Sequence, residues 1–206
     1  MKQALIFVFT FLTTILCYGQ IEHLEPAKDF SHYQGALKKY YNSVFLLLHK
    51  NFDNEPFARY TSLPSFSHEY AFSVEQKDSK YFIISNYLSE NFWYAKDRQR
   101  VKLRTSATEI EEELYQTIGN LFQLLASQTR VSEEKMMGTD GTTYYFATID
   151  SIGSVKIGTT WSPNDNSVLD RLVKICDKLY LIGQGNGLTE TDIYTSIKKL
   201  IADIEK

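Results

Sequence analysis

The most patterned polar chemistry in the chain is the run Lys96-Asp97-Arg98-Gln99-Arg100-Val101-Lys102-Leu103-Arg104. Lys96, Arg98, Arg100, Lys102 and Arg104 fall on alternate positions, with Trp93 and Tyr94 just before them. In an extended segment the period of two would put all five cations on one face and turn Val101 and Leu103 toward a core. Such a ribbon suits an acidic protein surface or an anionic glycan. These five residues with Trp93 form the candidate binding set. An outward-facing edge strand kept charged against edge-to-edge pairing explains the same alternation without a ligand, and a turn at Asp97 would break it.

Groups that could do catalysis are sparse. The histidines are His23, His32, His49 and His68, and none is paired at the i+2 or i+4 spacing of a local metal motif. His68 alternates with Phe66, Tyr70 and Phe72, so it could act as a general base; a packed ring with one hydrogen-bond partner is the plainer expectation. Glu111, Glu112 and Glu113 suit the first turn of a helix, where negative charge opposes the dipole. Gly183-Gln184-Gly185-Asn186-Gly187 follows a helical pattern instead of a strand, which speaks for a connector and against a phosphate loop. Gly138-Thr139-Asp140-Gly141 reads as a turn lacking the further oxygen ligands of a calcium loop. Trp161 could stack on a sugar, but the expected role is a plug at a strand-to-helix corner. No catalytic residue, metal site or cofactor is expected, and the sequence leans away from an enzyme.

Those groups must be positioned by a chain of 206 residues, 43% hydrophobic and 23% charged, which is the profile of a soluble globular protein. The formal charge of -3 argues against nucleic acid as a partner. Lys2, the uncharged apolar run Ala4 to Leu16 and the small residues Cys17 and Gly19 predict a signal peptide over 1-19, with residues 20-206 as a single domain. The run is too short for a stable membrane span. Cleavage would leave Cys176 as the only thiol. It lies in an apolar stripe with Leu172, Val173 and Leu179, where an inert core role is expected.

Periodicity predicts a helix from Phe30 to about Asn51, capped by Asp29 or Ser31, then a loop through Pro56 and Pro64. Strands are predicted at Phe66–Val74, Tyr81–Ser85, Phe92–Ala95, Arg100–Arg104, Thr142–Ile149 and Ser154–Thr159. Ser106-Ala107-Thr108-Glu109 matches a capping box for a helix running to Ser127. Ser162-Pro163 marks another helix start, with Gly183 as its stop. A last helix is capped by Thr189, with Leu188 and Ile193 as a hydrophobic staple. The sum is an α+β fold: an antiparallel sheet of about six strands with about four helices packed on it.

Thr139-Asp140-Gly141-Thr142-Thr143-Tyr144-Tyr145-Phe146 and Thr160-Trp161-Ser162-Pro163, with the Tyr18-Gly19-Gln20 region, resemble uncharacterised exported bacterial proteins of the Bacteroidetes type. The resemblance implies a periplasmic or secreted protein and carries over no activity or site residue. Three functions are consistent with these features. The first is an exported, non-enzymatic protein that binds a macromolecule. The others are a periplasmic hydrolase with a site assembled from distant residues, and a periplasmic immunity or inhibitor protein. Export predicts a mature protein that begins at or near Gln20, which N-terminal sequencing checks; an intact Met1 in the membrane fraction would contradict it.

Overall fold

The computed structural model describes residues 23–132, 140–186 and 189–206. The expected signal segment, the Gly138-Thr139 half of the glycine turn and the Gly187-Leu188 pair lie outside the described residues. Seven strands, β1 (Glu25–Pro26), β2 (Ala58–Pro64), β3 (Tyr70–Lys77), β4 (Lys80–Leu88), β5 (Leu103–Ile110), β6 (Thr142–Ile149) and β7 (Val155–Trp161), form one antiparallel sheet. Their order is β1-β7-β6-β2-β3-β4-β5. The helices are α1 (Gly35–Leu48), α2 (Glu112–Gln128), α3 (Val168–Gly183) and α4 (Glu190–Ile204). This is the expected α+β class, with one strand more than the six anticipated.

Strand alternation divides the sheet into two faces. Tyr60, Phe72, Val74, Ile83, Ile110 and Phe146 point to one side, where they pack against Ile118, Leu121, Leu172, Leu179 and Ile197 of α2, α3 and α4. Leu63, Ala71, Ile84 and Leu88 point to the other, under Tyr40, Val44 and Leu48 of α1. Three helices therefore cover one face and a single helix covers part of the second. Cys176 sits fully buried in the larger core, where burial pushes its thiol pKa well up. Asp177 ties α3 to the sheet by accepting from the Tyr60 and Tyr70 hydroxyls at 2.9 and 2.7 Å.

Several expected elements are corrected. The stretch between Pro56 and Pro64 is not all loop: Ala58–Pro64 is β2, a central strand paired on both sides. It is almost wholly buried even though Arg59, Thr61 and Ser62 are polar, so its composition does not announce a central strand. Pro64 closes the strand, a position where a missing N–H is tolerated. Phe92–Ala95 is a turn and not a strand. The capping-box residues Ser106 to Glu109 lie inside β5, which pairs with β4 from Tyr81↔Ile110 to Leu88↔Leu103. Helix α2 starts after them, at Glu112.

The first helix is also shorter than expected. Asp29 caps a 3-10 turn at Phe30–His32 by accepting from the Ser31 N–H at 2.9 Å, and α1 follows from Gly35. Ser167, not Ser162, caps α3, with its hydroxyl accepting from the Asp170 N–H at 3.0 Å. Gly183 is the last residue of α3 and is not its stop. A Cβ there would lie 2.2 Å from Ser85 Oγ and 3.1 Å from the Ile83 carbonyl, so glycine permits α3 to run close over β4. The chain leaves the helix at Gly185, whose φ of +77° is the left-handed value that favours glycine.

Candidate binding surface

The sheet order brings two connections together. β3 and β4 are neighbours, so the β2–β3 connection (65–69) lies beside the β4–β5 connection (89–102). At the root Leu88 N–H donates to the Glu69 carbonyl at 3.1 Å, and the β4–β5 connection closes on itself through Ser89 N–H to the Lys102 carbonyl at 2.9 Å. Side chains then fasten the tips. Asn91 Nδ2 donates to the Ser67 carbonyl at 2.6 Å, and its Oδ1 accepts from Tyr94 N–H at 3.1 Å.

The deepest of these ties is the Glu69 carboxylate. Glu69 is 0% exposed. Its oxygens accept from Phe92 N–H at 2.9 and 3.1 Å and from the Tyr40 hydroxyl at 3.0 Å. One carboxylate thus joins β3, the turn at Phe92 and helix α1. Burial holds its pKa above the usual carboxylate value, and the hydrogen bonds from Phe92 and Tyr40 offset part of that shift.

Above this anchor the surface is aromatic. Phe66, Tyr94 and Trp93 are 69%, 60% and 37% exposed. The Phe66 and Tyr94 rings stack across the two connections, with centroids 6.2 Å apart and planes 10° from parallel. Trp93 meets the Tyr40 ring edge-on at 5.2 Å. The three rings form an exposed aromatic group on the two connections.

The structure does not bring the five cations into one extended ribbon. Asp97 accepts from Gln99 N–H at 3.1 Å and caps a 3-10 turn at Arg98–Arg100, so the strand begins only at Leu103. Lys96 is exposed before that turn, and Arg100 is exposed and ion-paired to Asp97 at 3.2 Å. Arg98 is drawn inward. It donates to the Phe92 and Trp93 carbonyls at 3.0 and 3.1 Å and lies over both rings, 5.3 and 5.6 Å from their centroids. Lys102 is exposed, and Arg104 is exposed on β5 with its guanidinium 5.9 Å from the Tyr87 ring centroid. Val101 is buried, as the alternation requires. Of the five cations Arg98 lies against the aromatic group, and together they do not form a stripe.

His68 is exposed, and its Nδ1 lies 3.1 Å from the Leu88 carbonyl. Its ring is thus paired with backbone, and the neighbouring Glu69 carboxylate is committed to Phe92 and Tyr40. Among the described residues, no cluster of three or more His, Cys, Asp and Glu side chains is placed to hold a metal ion. Trp161 is half-buried at the end of β7, against Gly141.

Glu69 and Phe66 are members of the candidate surface that sequence reasoning missed. Glu69 shares the inward parity of Ala71 and Ser73, and that is the only sequence sign of its burial. Comparison of the chain with protein-family models, with curated proteins and with solved structures finds no match.

Truncation of the anchor tests its role. Glu69→Ala leaves the Tyr40 hydroxyl and Phe92 N–H without an acceptor and is expected to lower stability by about 2–4 kcal/mol. The raised pKa adds a pH dependence. The folded state holds the carboxyl proton more tightly than the unfolded state, so this group's contribution is complete below the ordinary carboxyl value of 4.5 and is lost as pH rises through the raised value. The stability of wild type relative to Glu69→Gln should therefore fall as pH rises above 4.5 in urea titrations. A constant or rising difference would contradict the assignment.

Proposed function

We propose that this is an exported, non-enzymatic protein that docks on an acidic protein partner through Phe66, Trp93 and Tyr94 and the cations of the run from Lys96 to Arg104. The observation that carries the proposal is the exposed, stacked pair of Phe66 and Tyr94 on two mutually bonded connections. Tyr, Trp and Arg are the residues that most often dominate binding energy at protein interfaces. A surface already ordered by its own hydrogen bonds loses little conformational freedom on docking. The charge points to the partner's sign: residues 90 to 104 hold five basic and two acidic side chains, whereas the whole chain is at -3.

The apolar run at the start of the chain supports a periplasmic or secreted location. Among the described residues no helix is long and apolar enough to cross a membrane. Stacked aromatics beside cations also suit an anionic glycan, which is the alternative ligand class.

The geometry selects the variants. Arg98 holds the turn and is a poor probe of charge, whereas Arg100, Lys102, Phe66 and Tyr94 are exposed. Phe66→Ala/Tyr94→Ala and Arg100→Glu/Lys102→Glu should each keep the fold within about 1 kcal/mol, as changes at exposed positions usually do. Both should lose proteins that the wild type captures from periplasmic extract, and added salt should weaken the wild-type capture by screening. Capture of the same proteins by wild type and both variants would overturn the proposal. Retention on anionic glycans with no variant-sensitive protein capture would replace the acidic protein with a glycan.

A further inference from the structure

The uncovered part of the sheet's second face holds a cleft of about 580 Å³, within the range of small-molecule sites. It opens beside the C-terminal end of α1. Its walls are largely aromatic: Phe30 stacks on Phe45 with centroids 5.1 Å apart, and Phe45 meets the His49 ring edge-on at 5.2 Å. Phe52 and the central-strand residue Arg59 complete this wall.

Arg59 is the unusual member. It is only 8% exposed, and its guanidinium lies over Phe52, 5.3 Å from the ring centroid. A guanidinium offers five N–H donors. Here Nη2 donates to the Asp53 carbonyl, and among the described residues the guanidinium makes no other hydrogen bond; Nε is buried without a partner. Ser73, its cross-strand neighbour, also has a buried hydroxyl oxygen without a partner. Glu75, which is buried, and Asp53 are the carboxylates whose charges act on the guanidinium, yet among the described residues neither forms an ion pair with it: Glu75 accepts from Asp53 N–H at 2.9 Å and pairs with Lys77 at 3.1 Å, while Asp53 lies on the cleft's exposed side.

His49 does not share the positive charge. Burial and the Arg59 charge lower its pKa to about 3, so its ring is neutral, with Nε2 2.8 Å from Thr61 Oγ1. Arg59 is therefore the one cation among the residues that line the cleft. A buried charge is stabilised by a hydrogen-bonded counter-ion, and a planar guanidinium matches a carboxylate in two-point geometry. The aromatic walls favour a flat apolar body. The Asp53 carboxylate repels any anion in the cleft, and a dianion about twice as strongly as a monoanion, so a monocarboxylate is favoured over phosphate. We propose that this cleft is a binding site for a small aromatic monocarboxylate, held by Arg59 at its acid end and by Phe30, Phe45 and Phe52 along its ring.

Phenylacetate is the probe, with the isosteric neutral phenylacetamide as control, each titrated into the ¹⁵N-labelled full chain and followed by NMR. Phenylacetate should shift the side-chain amides of Asn42 and Asn54, which line the cleft, and saturate with a Kd below about 1 mM. Phenylacetamide should bind at least about tenfold more weakly, because it offers no charge to the guanidinium. Arg59→Met should bind acid and amide equally. Should that variant fail to fold, the wild-type comparison of acid with amide decides by itself. No saturation by phenylacetate, equal affinity of acid and amide in the wild type, or shifts that avoid Asn42 and Asn54 would each overturn the proposal.

Discussion

A carboxylate with no access to water, Glu69, is the constraint around which the candidate surface is organised. Its desolvation is unfavourable by itself, and it is tolerated because Phe92 N–H and the Tyr40 hydroxyl supply donors. The consequence is geometric. A turn that would otherwise be an open connection between β4 and β5 is fixed against β3 and α1. Arg98 then finds the Phe92 and Trp93 carbonyls in place, and Asn91 reaches the Ser67 carbonyl. Phe66, Trp93 and Tyr94 stand on the outer side of this fastened turn.

The unequal cover of the sheet is the second organising feature. Among the described residues three helices close one face over a continuous apolar core, and α1 alone packs on the other. Polar side chains fill the second face: Asn86 donates to the Leu48 and Lys50 carbonyls at 2.7 and 2.9 Å and so terminates α1. Among the described residues no helix continues past that end over β2 and β3, and Arg59 and Glu75 occupy the margin. The cleft is a consequence of where α1 stops, and the aromatic surface is a consequence of where α1 is held.

How much of this was legible in the sequence follows from which interactions are local. The β6–β7 hairpin could be placed from the strand-like runs Thr142–Ile149 and Ser154–Thr159, and α3 and α4 from start and stop signals near their ends, because each signal is local in sequence. β5 was concealed by Ser106 and Glu109, whose spacing imitates a helix cap; its pairing with β4 overrides that local signal. The cation alternation from Lys96 to Arg104 was equally persuasive as a strand, yet the Asp97 cap divides it into a turn and a strand start. Trp93 could be singled out as a neighbour of these charges. Phe66 could not, because its stacking on Tyr94 depends on two connections that are distant in sequence. Glu69 and Arg59 were the least legible. Charged side chains are expected at the surface, and the partners that bury them belong to α1, to the turn at Phe92 and to the segment at Phe52 and Asp53.

The central claim is that the Glu69 carboxylate fixes the turn that presents the aromatic residues. Native-state hydrogen exchange of the Phe92 amide measures this bond directly. If the bond holds, this N–H exchanges as slowly as amides inside the central strands, such as that of Phe72, since its opening requires loss of the buried carboxylate contact. Exchange at the rate of an unstructured connection, while the Phe72 amide remains protected, would show that the turn moves independently of Glu69 and would contradict the account.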